Sequence, residues 1–239
     1  MKDLLLTISL IIVSNSTFAN YLQIQSTSVN FETDGILEEN IGLDAGFDSD
    51  SGISIEYGFH DGFENGFSIQ YSGVNAGATW SHTLTSSEAT SINSTLDNFI
   101  STEVNNLLDI DINSGDILSL SEDYEVSVLM LKYNLNSDLG ERFFYSTYLG
   151  IGFTRVDFDA DISYITPSNQ LAVTSGDSDT LFTYELGLGL GYYLTENISI
   201  IMNYTYRDAQ DGEFSYFGVP LPDTDVGLTS LDLGVRMNF

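Results

Sequence analysis

Cysteine is absent, proline occurs three times, tryptophan once, and only 6 of 239 residues are Lys or Arg. Each shortage excludes something. Without thiols there is no disulfide framework, thiolate nucleophile or Cys-based metal site. Six bases stand against 35 Asp+Glu, a net charge of −29. No clustered basic surface is left to neutralise nucleic-acid phosphates or dock on anionic lipid. Only two histidines occur, His60 and His82, and no G-x-S-x-G elbow places a serine beside one. This composition points away from an enzyme. So acidic a chain would be disordered if it were poor in aromatics and β-branched residues, but it has 15 Phe and 14 Tyr.

The amino terminus reads as an export signal. Met1-Lys2-Asp3 precedes a mostly apolar run from Leu4 to Val13, and Thr17 and Ala19 fit an A-x-A-like cleavage site. Ten residues reach about 15 Å as a helix, roughly half a bilayer core. The expected division is a signal peptide over 1–19 and a mature barrel domain over 20–239. No later run is long and apolar enough for a membrane helix.

The mature chain alternates with period two, which puts successive side chains on opposite faces of a strand. Phe182, Tyr184, Leu186, Leu188, Leu190, Tyr192 and Leu194 take every second place, with Thr183, Glu185, Gly187, Gly189 and Gly191 between them. Ile198 to Tyr206, Leu231 to Phe239 and Phe143 to Phe153 repeat the split. A soluble sandwich and a membrane barrel share this pattern. Strands of about ten residues span a bilayer at a tilt of about 45°, whereas soluble strands average about 5–6 residues. Aromatics cluster at strand ends, as interface girdles do. Short connections at His60–Asn65, Asn136–Arg142 and Thr195–Asn197 alternate with long ones at 32–50, 74–123, 159–178 and 209–225. Eight strands are expected, near 21–31, 51–59, 66–73, 124–135, 143–158, 179–194, 198–208 and 226–239. The run Ile41, Leu43, Ala45, Phe47 competes with Tyr21–Phe31 for the first strand.

The chain resembles the small OmpA-like and opacity-like outer-membrane β-barrel proteins of the porin family. The resemblance rests on the signal peptide, the Tyr148–Phe153 and Gly187–Leu194 strands, the Ile198–Arg207 strand and the terminal Gly234–Phe239. It implies an all-β, eight-stranded antiparallel transmembrane barrel with long extracellular loops. It also implies a monomer held in outer-membrane lipids, and insertion by the barrel-assembly machinery with Phe239 as part of the signal. Glu56, Lys132 and Arg236 each stand three residues before a periplasmic strand end, with Glu185 and Asp232 higher. If they point inward they pair inside the lumen, as Glu/Lys/Arg pairs do in this family. Lys132 shares its parity with the apolar Val126, Val128 and Met130. A lipid-facing Lys costs up to about 2–4 kcal/mol at mid-membrane, so the inward choice is favoured.

Roughly two-thirds of the mature acids fall in the four long connections, which hold no Lys or Arg. The extracellular face is expected to be anionic, with Arg155 and Arg207 near the outer leaflet. Asp109, Asp111, Asn113 and Asp116 offer oxygens at alternate positions, a partial match to a calcium loop. No cofactor is expected beyond Ca²⁺ or Mg²⁺ at these acids. Ile92 to Leu108 has helical spacing, an amphipathic helix in the longest loop. The expected role is structural and surface-exposed. A narrow porin-like channel, or an adhesin acting through the acidic loops, are the alternatives.

Overall fold

The computed structural model describes residues 20–33, 50–60, 64–91, 113–165, 170–213, 215–216, 219–220 and 224–239. Ten strands lie within them. They are β1 (Tyr21–Thr33), β2 (Asp50–Gly58), β3 (Gly66–Thr83), β4 (Ile117–Asp138), β5 (Phe143–Ile165), β6 (Gln170–Tyr193), β7 (Ile198–Gly212), β8 (Ser215–Tyr216), β9 (Val219–Pro220) and β10 (Thr224–Asn238). β1 to β7 and β10 close an eight-stranded antiparallel barrel, and β8 and β9 form a separate short ladder. The last strand pairs with the first from Tyr21↔Asn238 to Thr33↔Val226, so the barrel has no free edge along this seam. The first strand is therefore Tyr21–Thr33; the competing run Ile41–Phe47, the signal peptide and the 92–108 helix lie outside the described residues.

The alternation sorts the chain onto two faces. Outward positions carry Phe153, Phe182, Leu186, Leu188, Leu190, Leu231 and Leu233, each between 40 and 62% exposed. Inward positions carry buried Gln25, Ser54, Gln70, Asn134, Thr183 and Asn203. This is the inverse of a soluble core and decides against the sandwich. The apolar stripe on β6 runs from Phe182 to Leu194. At about 3.3 Å per residue and a tilt of about 45° it stands roughly 28 Å tall, close to a bilayer core. Among the described residues no helix is long and apolar enough to cross a membrane; the crossing is made by strands.

Four strands run well past the expected limits, β3 among them, since it continues from the expected end at 73 to Thr83. β4 begins at Ile117, β5 reaches Ile165 and β6 starts at Gln170, so the expected long loop at 159–178 is largely a hairpin continued above the apolar belt. The cause is cross-strand pairing, which continues without interruption from Ile117↔Ile165 to Asp138↔Phe144. His82, expected in a loop, lies on β3 opposite Leu118.

Above β3 a helical turn at 86–91 opens with a capping box. The Thr85 amide donates to Glu88 Oε2 at 2.8 Å and the Glu88 amide donates to Thr85 Oγ1 at 3.4 Å. His82 Nε2 stands 3.1 Å from the same carboxylate. The Thr85 amide and hydroxyl, then His82, hold the Glu88 carboxyl down to about 2. A carboxyl depressed in the fold stabilises this turn above its ordinary value of 4.5 and stops doing so as pH falls through about 2. Titration of the Glu88 side-chain carbon by NMR should give a midpoint near 2, and a midpoint near 4.5 would show that the box is not formed. Glu88→Gln should keep the cap, whereas Glu88→Ala should speed exchange of the Thr85 amide several-fold.

Candidate functional site

The lumen gathers the expected charges, and the barrel's stagger explains how. From Tyr21 the paired residues run through Gly58, Ser68, Lys132, Gly150, Glu185, Arg207 and Leu228 and return to β1 at Phe31, ten residues up. Lys132, Gly150, Glu185 and Arg207 thus occupy one continuous row on β4, β5, β6 and β7. A second row joins Arg236, Gln23 and Glu56 on β10, β1 and β2. Distance from the strand end is a poor guide to which charges meet, because the rows climb around the wall.

All five expected lumen residues are inward and buried. Lys132 Nζ stands 3.0 Å from Glu56 Oε2 and 3.3 Å from Glu185 Oε1. It also lies 3.7 Å above the centre of the Tyr148 ring. Glu185 Oε2 accepts from Arg207 Nε at 2.5 Å, extending the chain to Glu56–Lys132–Glu185–Arg207. Gln70 Oε1 accepts from both Lys132 and Arg207 at 3.3 Å. Tyr21 donates its hydroxyl to Glu56, and Asn134 braces the same corner through Ser68 at 2.8 Å. Asp232 joins through Thr205, whose hydroxyl is 2.7 Å from Tyr148 and 3.2 Å from Asp232 Oδ2. Arg236 stacks over Tyr21 and Phe144, with its guanidinium carbon 4.4 and 5.4 Å from the ring centres, and donates to Gln23 at 3.0 Å. Three acids and three bases face one another here, which is the balance that burial demands.

Arg207 corrects the expectation that it sits at the outer leaflet. It is 2% exposed and binds Glu185 inside the lumen. Its parity with Asn203 and Thr205 on β7 already put it on the inward face; proximity to the strand top was the weaker signal. Tyr21, Gln70, Asn134 and Tyr148 were also missed, since one uncharged residue inside a strand has no signature.

Gly150 gives the row room. A Cβ there would stand 3.2 Å from Lys132 Cγ, so the glycine leaves the channel along which the Lys132 stem crosses from β4 toward β6.

Above the belt, outward residues turn acidic. Glu125 pairs directly with Asp157 and Asp123 with Asp159, arrangements that repel when uncompensated. Arg155 grips Asp157 through Nε at 2.8 Å and Nη2 at 2.5 Å. On the opposite face of β6, Asp177 accepts from the Ser215 amide and hydroxyl at 2.7 Å, which holds its carboxyl below the usual range. Many of the acids expected in loops therefore sit on a projecting sheet. Of the expected calcium ligands, Asp109 and Asp111 lie outside the described residues. Asp116 accepts from the Asn113 amide at 2.8 Å and closes a turn whose Gly115 has φ of 95°. Among the described residues no group of three or more His, Asp or Glu is placed to hold a metal ion.

The outer membrane protein beta-barrel domain model matches residues 5–239. The chain belongs to that family. Membership sets the apolar belt in the outer membrane, and barrels of this kind turn their short connections to the periplasm. Solved structures similar to the chain include Neisserial surface protein A, at 13% identity over 92% of this chain and 99% of that one, with a TM-score of 0.49. The attachment invasion locus protein Ail of Yersinia pestis matches at 13% identity over 92% and 99%, with a TM-score of 0.42. OprG of Pseudomonas aeruginosa matches at 11% over 93% and 96%, with a TM-score of 0.40. Comparison with curated proteins finds no match.

Because one carboxylate serves two cations, Glu185→Gln should cost about 3–5 kcal/mol of stability. Gly150→Ala, which crowds the Lys132 stem, should cost about 1–3 kcal/mol. Both are read as lowered urea midpoints of the folded, faster-migrating band on unheated gels.

Proposed function

We propose that the protein is a closed, non-catalytic outer-membrane barrel whose role is structural and whose projecting acidic sheet and loops form its working surface. One observation carries this reading: side chains close the lumen across its section. The ion chain occupies the lower half, and a packed apolar cluster from Val29 to Leu228 occupies the upper half. Side chains nearly fill an eight-stranded barrel, so a solute path needs a rearrangement rather than a vacancy. A narrow channel is thereby disfavoured. Refolded wild-type protein in planar bilayers should show no conductance steps, and reproducible steps would overturn the reading.

A second reading, contact with outside partners, draws on the sheet formed by β3 to β6 above the belt. Its outward carboxylates at Asp123, Glu125, Asp157 and Asp159 have one base, Arg155, among them. Ca²⁺ or Mg²⁺ bridging such carboxylates to lipid phosphates is the counter-charge chemistry the surface offers. Asp123→Asn/Asp159→Asn should weaken attachment of whole cells to a polylysine-coated surface, and unchanged attachment counts against this second role. Export by cleavage after Ala19, and insertion as a monomer by the barrel-assembly machinery with Phe239 as signal, complete the proposal. Phe239 is outward and 67% exposed at the periplasmic end.

A further inference from the structure

The lumen has two storeys of opposite chemistry. In the upper one Val29, Val74, Val126, Val128, Val156 and Phe158 are all less than 7% exposed, and the cluster draws on seven of the eight barrel strands. In the lower one, several buried polar atoms have no partner in the protein. Among the described residues both ends of the Gln25 amide, Ser72 Oγ, Ser199 Oγ and Asn203 Oδ1 make no hydrogen bond to protein. Each of these residues is at most 3% exposed. They are not scattered. Ser199 and Asn203 lie on the inward face of β7, Asp232 is the paired neighbour of Asn203, and Gln25 is one inward step from Thr27, the other neighbour of Asp232. Ser72 is the last inward residue of β3 below Val74. Ser199, set apart from Asn203 by the buried Ile201, lies nearest the periplasmic end, and the others stop where the apolar storey begins.

Buried polar groups that lack protein partners are satisfied by water when the site is polar. A balanced set of three acids and three bases favours a neutral guest over an ion. We propose that water occupies the lower lumen beside the ion chain, entering from the periplasmic side, and that the apolar storey is the seal. The ion pairs fix the wall, and the valines keep the two sides of the membrane apart, as apolar constrictions do by staying dry. This rests on the closed-lumen reading, whose own test is wild-type conductance.

The natural absence of cysteine allows single thiols to report water directly. Ser72→Cys and Ser199→Cys sample the lower storey, and Val128→Cys and Val156→Cys the upper. The full chain, refolded in lipid vesicles in nitrate buffer, is exposed to Ag⁺, a probe near the size of water. Each reaction replaces the thiol proton with silver and releases one proton. The lower thiols should react at least a hundredfold faster than the upper. Equal rates, or faster upper thiols, overturn the proposal. Where a cysteine variant fails to give the folded band, the wild type still decides. Cross-relaxation between water and the side-chain amides of Gln25 and Asn203, measured by NMR in nanodiscs, should be present, and its absence overturns the proposal. A non-conducting wild type with inaccessible lower thiols would leave the closed barrel standing and remove only the water.

Discussion

Closure of the sheet with a ten-residue stagger is the constraint from which the rest follows. A closed barrel satisfies every backbone group between strands, which a bilayer requires. The stagger decides which inward side chains become neighbours. It lays Lys132, Glu185 and Arg207 on one row, with Gly150 as the gap between the first two. It also carries Glu56 to within 3.0 Å of Lys132 across the lumen. No single strand contains this arrangement.

That separates what was legible in the sequence from what was not. Alternation is local, so the strands between Phe143 and Phe153, Phe182 and Leu194, and Ile198 and Tyr206 could be placed, and each one's lipid face named. The inward choice for Lys132 followed from the cost of the alternative. Its parity with Val126, Val128 and Met130 made the choice difficult, and the structure gives the reason: the upper lumen is apolar too. Register is a relation between strands. Arg207 was therefore set at the leaflet by its distance along β7 instead of opposite Glu185.

The same limit applies to the upper ends of β4, β5 and β6. Asp159 and Asp161 look like loop residues by composition. They are strand residues because the β4–β5 ladder continues past the belt, and the outward face changes its solvent from acyl chains to water without changing its backbone. The −29 charge is thus partly organised as a rigid face.

The scarcity of bases has a consequence for proteolysis and labelling. Lys132 is the single lysine of residues 20–239, and it is shut inside the wall with Arg207 and Arg236. Arg142 lies in a periplasmic turn, its Nη1 3.1 Å from the Tyr192 hydroxyl. Arg155, clamped to Asp157, is what remains on the outer side. A trypsin-like protease shaving intact cells has one peptide bond to find there, on a paired strand. Amine-directed surface reagents find no exposed lysine side chain among residues 20–239. The protein would be underrepresented in surface inventories built on either chemistry, however abundant it is.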